Sequence, residues 1–281
     1  MNHFILLCLH IISKMDWIED LKKKVDTSIL FTNELELKNY SSDYTEDLVH
    51  LPQVVAKPTS VEQISEILKF CTDNNIPVTP RGAGTGLSGG SLPVDGGISL
   101  SMENFNKILD IDEDNFQATV ESGVINEVFQ QAVKAKELFY PPDPASKGSC
   151  FLGGNIAHSS GGPKALKYGT TKDYVLNLEV VLPTGEIIWT GSDTLKNSTG
   201  YNLTQLMIGS EGTLGVVTKI VFKLLPLPKY DLLMLAKFNS IQDACSAVPQ
   251  LFIAGASPSA LELMERSAVA YVHTHASGDT T

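Results

Sequence analysis

Residues 81–90, RGAGTGLSGG, concentrate small and polar groups whose spacing fits three chemical patterns at once. Gly84-x-Gly86-x-x-Gly89 has the spacing of a dinucleotide-binding turn, which needs a strand before it and a helix opening directly after it. A strand is expected at Ile76–Thr79, but the residues that follow, SLPVDGGISLS, contain Pro93 and two more glycines and cannot open a helix. Gly86-Leu87-Ser88-Gly89-Gly90 also fits the G-x-S-x-G elbow of hydrolases, which needs the same strand-turn-helix and a histidine from among His158, His273 and His275. A Walker A loop is excluded because Gly90 stands where lysine is required. Glycines without a helix let the backbone turn its N–H groups toward a ligand at close range, which suits a phosphate or pyrophosphate. Arg81 at the edge of the loop adds the prospect of a charge-assisted hydrogen bond. The competing reading is a glycine loop kept only for flexibility. Two β-type segments flank it, which favours ligand binding.

A second stretch, PPDPASKGSCFLGGNIAHSSGGPKALKYG at 141–169, reads as a long ordered loop rather than a connector. Gly153-Gly154-Asn155 and Gly161-Gly162-Pro163 again place small residues where something bulky can lie against backbone. Pro141-Pro142-Asp143-Pro144 is stiff and suits a fixed wall. Two separated glycine-rich stretches around one α/β body fit a large elongated ligand, and a flavin dinucleotide has that shape. Within this stretch His158 is expected to be an ordinary loop histidine, and Lys147, Lys164 and Lys167 to be solvated. His273-Thr274-His275 could pair on a strand face, but they close a ragged polar end. Cysteines at 8, 71, 150 and 245 lack zinc or disulfide spacing and fit a reducing compartment.

These loops need elements to position them. Ser60 and Gln63 form a capping box for a helix whose inner face is Val61, Ile64, Ile67, Leu68 and Cys71. Val54–Ala56, Ile76–Thr79, Ile98–Ser101, Ile108–Ile111 and Gln117–Ser122 read as strands. Asn126–Lys136 reads as a helix with Val128, Ala132 and Val133 inward. Leu178–Leu182 and Glu186–Trp189 flank Pro183-Thr184-Gly185 as a hairpin, and 209–225 closes with a long strand. Pro226 and Pro228 mark a boundary. Beyond it a strand is expected at Leu232–Phe238, a helix at Ile241–Phe252, and a strand or helix start at Ala260–Met264. Residues 16–50 read as helix plus loop. The opening MNHFILLCLHII is too short to span a bilayer and lacks signal-peptide flanks, so Met15 is the expected start. With 21 basic and 32 acidic residues the net charge is −11, which disfavours nucleic acid and anionic lipid as partners.

Several strings taken together resemble the FAD-linked oxidases with a PCMH-type FAD-binding domain, closest to the glycolate oxidase and D-lactate dehydrogenase group. They are VVAKPTSVEQISEILKFC, PVTPRGAGTGLSGGSLP, YPPDPASKGSCFLGGNIA, GGPKALKYGTTKDYVLNLEVVLPTGEII, GYNLTQLMIGSEGTLGVVT and KLLPLP, in that order across 52–228. The resemblance implies that Arg81, Gly82, Gly84, Thr85, Gly86, Leu87, Ser88, Gly89 and Gly90 form the pyrophosphate loop. It implies that Pro142 and Asp143 line the flavin, and that Gly153, Gly154, Asn155, Gly161 and Gly162 continue along the cofactor. Glu211, Gly212, Gly215 and Val217 would receive the adenine end. Relatives that tether FAD covalently place a histidine where this chain has Thr85, so noncovalent FAD is implied.

The implied fold is α+β: a two-lobed PCMH-type FAD-binding domain followed by the start of an α+β cap. The expected limits are a 1–51 extension, the FAD domain at 52–228 with lobes 52–112 and 113–228, and an incomplete cap at 229–281. The implied reaction is oxidation of a D-2-hydroxy acid to the 2-oxo acid, with electrons passed to a protein or quinone. The catalytic base is not identifiable in the sequence, and the family's His-rich substrate motifs are absent from it. Three alternatives stand: such a flavoenzyme in incomplete form, a noncatalytic FAD-binding subunit that needs a partner chain, and a cell-wall reductase with the same FAD domain. A cytoplasmic location is expected, with attachment to a membrane through partners as an alternative. Leu232, Leu233, Leu235 and Phe252 are expected to lack full packing partners.

Overall fold

The computed structural model describes residues 17–276, with side chains to residue 272. The opening apolar run, Met15, Cys8, the His273 and His275 side chains and the last five residues lie outside the described residues.

The first lobe opens with helix α1 at 17–24, which buries Leu21 beside Val25. Strand β1 (Leu30–Phe31) and helix α2 (Glu34–Asn39) follow, the helix capped by Asn33, whose side chain accepts the Glu36 N–H at 3.0 Å. Then come β2 (Val54–Ala56), α3 (Val61–Asp73), β3 (Val78–Arg81) and β4 (Ile98–Ser101). They make a sheet of order β1-β2-β4-β3, with β4 parallel to both β2 and β3. Parallel strands are covered on both faces, and Val54, Val55 and Ala56 are all fully buried. Helix α3 has the expected Ser60–Gln63 capping box and buries Ile64, Ile67, Leu68 and Cys71 against this sheet. β3 forms two residues later than expected. Ile76 instead closes the end of α3 by donating its N–H to Cys71 O at 2.8 Å.

The second lobe holds β5 (Ile108–Asp112), β6 (Gln117–Glu121), α4 (Asn126–Lys134), β7 (Leu138–Phe139), α5 (Leu152–His158), α6 (Ala165–Tyr168), β8 (Val175–Val181), β9 (Ile187–Trp189), α7 (Leu203–Met207), β10 (Val216–Lys223) and β11 (Leu225–Pro226). Its main sheet, order β5-β6-β10-β8-β9, is antiparallel throughout. The β8–β9 hairpin is as expected. Sheet membership runs across residues 52 and 112, because β1 pairs into the first sheet and β5 into the second. The core centres on Phe129, Tyr140 and Phe222, with ring centroids 4.7–5.3 Å apart. In α4 the buried face is Asn126, Phe129 and Val133. Val128, expected inward, is 50% exposed, since one residue before Phe129 is 100° off that face. The lobes meet where Val181 and Val216 join the first lobe's core and Ser65 donates its hydroxyl to Gly185 O.

The stretch 141–169 is not one loop. It contains α5 and α6, so Gly153, Gly154 and Asn155 lie on the first turns of a helix. Glycine content concealed it, because glycine is a poor helix former. After residue 228 come α8 (Ile241–Ile253) and α9 (Arg266–Ala276). The expected strand at Leu232–Phe238 does not form, and neither a strand nor a helix starts within Ala260–Met264. No strand edge among the described residues pairs with Leu232–Leu235, and Leu233 is 101% exposed. No helix among the described residues is long and apolar enough to cross a membrane.

Candidate flavin-binding cleft

Strand β3 delivers the chain into the loop at 82–91. No helix follows it before β4, as its prolines and glycines dictate. None of the backbone N–H groups from Ala83 to Ser88 finds an acceptor among the described residues. These residues are half-buried to exposed, with Leu87 75% exposed, so the amides are open to solvent and free to donate to a ligand that enters the cleft. Gly84 has a left-handed φ of +69°, and a Cβ there would stand 2.4 Å from Arg81 Nη2.

Two further segments face this loop. Gly153 donates its N–H to Ser122 O at 2.6 Å, and a Cβ on it would stand 2.8 Å from Ser122 Cβ, so α5 is seated directly against the end of β6. The turn at 209–212 is stitched to α5, with Gly209 N–H on Ile156 O and Glu211 N–H on Ala157 O, both at 3.0 Å. Glu211 itself sits at φ +54°, a left-handed conformation these bonds hold in place.

Loop, helix and turn enclose a cleft of about 300 Å³, at the small end of ligand sites. Of the residues anticipated from sequence, its walls contain Arg81, Gly82, Gly84, Thr85, Gly86, Leu87, Ser88, Gly90, Gly153, Gly154, Asn155, Glu211, Gly212, Gly215 and Val217. Gly89, Pro142, Asp143, Gly161 and Gly162 are not on its walls. Gly89 faces Leu48 and Leu92, Pro142 O accepts from Asn126 Nδ2 and Gln130 Nε2, and Asp143 packs under Gly162 and pairs with Lys164. No heavy atom lies within 4 Å of where a Cβ on Gly86 or Gly154 would stand, so both present bare backbone to open space.

Arg81 does not wait at the edge for an anion. Its guanidinium is buried, donating to Ser42 O at 2.7 Å and to Ser91 Oγ at 3.3 Å, over the Tyr40 ring. Burial lowers its pKa from the ordinary value, opposed by the charge of Asp43. It braces the loop from behind. Lys164, expected to be solvated, pairs with Asp143 at 3.8 Å.

Sequence reasoning missed Ser122, Met102, Phe151, Cys150 and Ser210, all on the cleft wall. Ser122 is buried and its hydroxyl has no partner, which no sequence pattern signals. Cys150 is buried, and burial raises its thiol pKa, so it is not an activated nucleophile. His158 is exposed at the cleft, where its Cε1 lies 3.6 Å, and Glu211 Oε2 3.5 Å, from the Cβ position of Gly90. No cluster of three metal-ligating side chains occurs among the described residues. A larger hollow of about 570 Å³ lies against β5 and β6, but Asp110, Asp112 and Asp193 line it and would repel phosphates.

Comparison with known proteins identifies an FAD binding domain over residues 52–191 and a C-terminal domain of FAD linked oxidases over 227–279. The glycolate oxidase subunit GlcD of Bacillus subtilis is 44% identical over 84% of this chain and 50% of its own. The D-lactate dehydrogenase of Anaerostipes hadrus is 40% identical over 90% of this chain and 53% of its own. The chain thus spans about half the length of the curated relatives it matches. Alkyldihydroxyacetonephosphate synthase has the same fold, with TM-score 0.73 at 23% identity, covering 87% of this chain and 46% of that one. The residues present fit FAD: free loop amides suit its phosphates, the open backbone at Gly86 and Gly154 admits a close ligand, and the orphaned Ser122 hydroxyl awaits a polar partner. The chain belongs to the FAD-linked oxidase family, matching its FAD binding domain over 52–191 and its C-terminal domain over 227–279.

Proposed function

We propose that this chain is the cofactor-binding part of a flavoenzyme that oxidises a small D-2-hydroxy acid, of the glycolate or D-lactate type, to the 2-oxo acid. The observation that carries the proposal is the run of acceptor-free N–H groups at Ala83–Ser88 on the cleft wall. The names of the relatives supply the substrate class. Bound FAD supplies the two-electron redox step of such a reaction, and the protein supplies position and electrostatics.

Each segment then has a task. The amides of Ala83–Ser88 would donate to the pyrophosphate, in the manner of a backbone nest. Gly86 and Gly154 let the cofactor lie against the main chain. Glu211, Gly212, Gly215 and Val217 wall the adenine end. Asn155 holds α5 in place by donating Nδ2 to Asn126 Oδ1 at 3.1 Å. Pro142, Asp143, Gly161 and Gly162 shape the second stretch from outside the cleft. Thr85 has no nucleophilic imidazole, so FAD is held without a covalent bond. No residue of the chain is assigned as the base for the substrate hydroxyl.

A second reading is a noncatalytic FAD-binding subunit. It is favoured by the exposed apolar surface at Leu232–Leu235, which suits a partner chain, and by the name of the Bacillus relative, a subunit. In the first reading electrons leave to a protein or quinone acceptor, and in both the location is cytoplasmic. The test is anaerobic addition of D-lactate or glycolate to the FAD-loaded chain. Bleaching of the flavin bands places a working site in these 281 residues. Intact bands with both acids mean that the chain is a cofactor module whose substrate site lies outside these residues, or that it acts on another acid.

A further inference from the structure

The glycine loop does not hold its own shape. No backbone hydrogen bond joins two residues within 82–88, and glycine is the residue with most conformational freedom to lose on ordering. Its ends are held by contacts from outside it, and several of these come from upstream of residue 52, where the matched FAD-binding region begins.

The segment Tyr40–Leu48 touches the glycine loop at both ends. At its entry, Arg81 Nη2 donates to Ser42 O at 2.7 Å, and the guanidinium carbon lies 5.4 Å from the Tyr40 ring centroid. At its exit, Gly89 donates its N–H to Thr45 Oγ1 at 2.7 Å, and Ser91 Oγ donates to Asp43 Oδ2 at 3.0 Å. Leu48 Cδ1 stands 3.6 Å from the Cβ position of Gly89. Arg81 and Ser91 are themselves joined, so the two ends are clamped together. The segment is in turn fixed. Asp43 Oδ1 accepts the Thr45 N–H at 2.8 Å, His50 N–H reaches Ser41 O at 2.8 Å, and the Tyr40 hydroxyl is held by Glu103.

We propose that Tyr40–Leu48 is a strap that pre-forms the pyrophosphate loop, with Asp43 and Thr45 as positioning residues for cofactor binding. The inference rests on the reading of the cleft as an FAD site. A loop ordered before the ligand arrives spares binding that ordering cost, so the strap acts on affinity rather than by touching the cofactor. Thr45 takes up the Gly89 amide. The amides at 83–88 stay free for phosphate.

The test uses the full chain, with FAD titrated by quenching of flavin fluorescence and hydrogen exchange followed at residues 82–91 without ligand. Thr45→Val and Asp43→Ala each raise the Kd for FAD by about two- to tenfold, the worth of one hydrogen bond, and speed exchange in the ligand-free loop. Thr45→Ser, which keeps the hydroxyl, restores the Kd. Ser60→Ala, which removes the α3 cap that Ser60 makes with Gln63, lowers the melting temperature and leaves the Kd unchanged. An unchanged Kd with unchanged loop exchange in both strap variants overturns the inference. So does a Ser60→Ala chain that loses as much affinity as they do. A wild-type chain that binds no FAD overturns the cofactor reading itself, and this is visible before any variant is made.

Discussion

Helices α3 and α8 are alike locally and differ in burial. Each has 13 residues and a serine N-cap whose side chain accepts the N–H three residues on, from Gln63 or Asp243. α3 buries Ile64, Ile67, Leu68 and Cys71, whereas no residue of α8 is buried, although Ile241, Val248, Leu251, Phe252 and Ile253 are apolar. α3 crosses over between two parallel strands and is pinned to the second lobe through Ser65 and Thr72. α8 follows a segment that joins no ladder. The difference teaches that capping and periodicity mark where a helix can form, while its stability and a core need an opposing surface. It also separates the region that builds the cleft from the region that does not.

The strongest way to break this comparison is truncation of matched side chains. Ile64→Ala is expected to cost about 2–5 kcal/mol in urea unfolding, the usual cost of a core cavity. Leu251→Ala is expected to stay within about 0.5 kcal/mol, as for a surface change. Similar losses at both positions would mean that α8 is packed as firmly as α3. A glycine pair sharpens the comparison for ligand binding. Gly84 and Gly255 both have left-handed φ, +69° and +83°. The left-handed backbone costs an alanine about 1–2 kcal/mol at either position, and at Gly84 the added Cβ also meets Arg81 Nη2. Only Gly84→Ala should weaken FAD binding, by roughly 5–30-fold, the ratio that such an energy sets.

The first lobe should also be the acid-sensitive one. Burial would raise the Glu103 pKa, but hydrogen bonds from Tyr40, Lys57 and Ser101 outweigh it and hold the carboxyl below its ordinary 4.5. A depressed folded-state pKa gives stability that is fully present above the unfolded value and is lost as pH falls through the folded one. Melting followed from pH 6 downward should therefore drop below about pH 4.5, and Glu103→Gln should flatten that drop. The smallest expected effect is on stability after shortening the chain at Pro228. The main unfolding transition stays in place while aggregation falls, because Leu232, Leu233 and Leu235 are removed from solvent. Equal aggregation of the two chains would count against that.

Much of the cleft was legible in the sequence because its chemistry is local. A proline- and glycine-rich run after a strand cannot become a helix, and Ala83–Ser88 did not. The α3 cap and the β8–β9 hairpin are local in the same way. What stayed hidden depends on contacts between distant residues. The orphaned Ser122 hydroxyl arises from how β6 ends against α5. The inward turn of Arg81 depends on Ser42 and Asp43, some 40 residues upstream in a stretch that reads as polar loop. Glycines that signal close approach of a ligand also signal close approach of backbone. Hence α5 reads as loop in the sequence, and Gly162, expected along the cofactor, is packed closely on Asp143 outside the cleft walls.

The central claim is that residues 82–90, braced from both ends, form a ready-made site for the phosphates of FAD. The most direct measurement is titration of the purified chain with FAD, followed by denaturation and separation of protein from flavin. The account predicts saturable binding at one FAD per chain, with all flavin released on unfolding because Thr85 offers no covalent attachment. A folded chain that takes up no FAD would contradict the account.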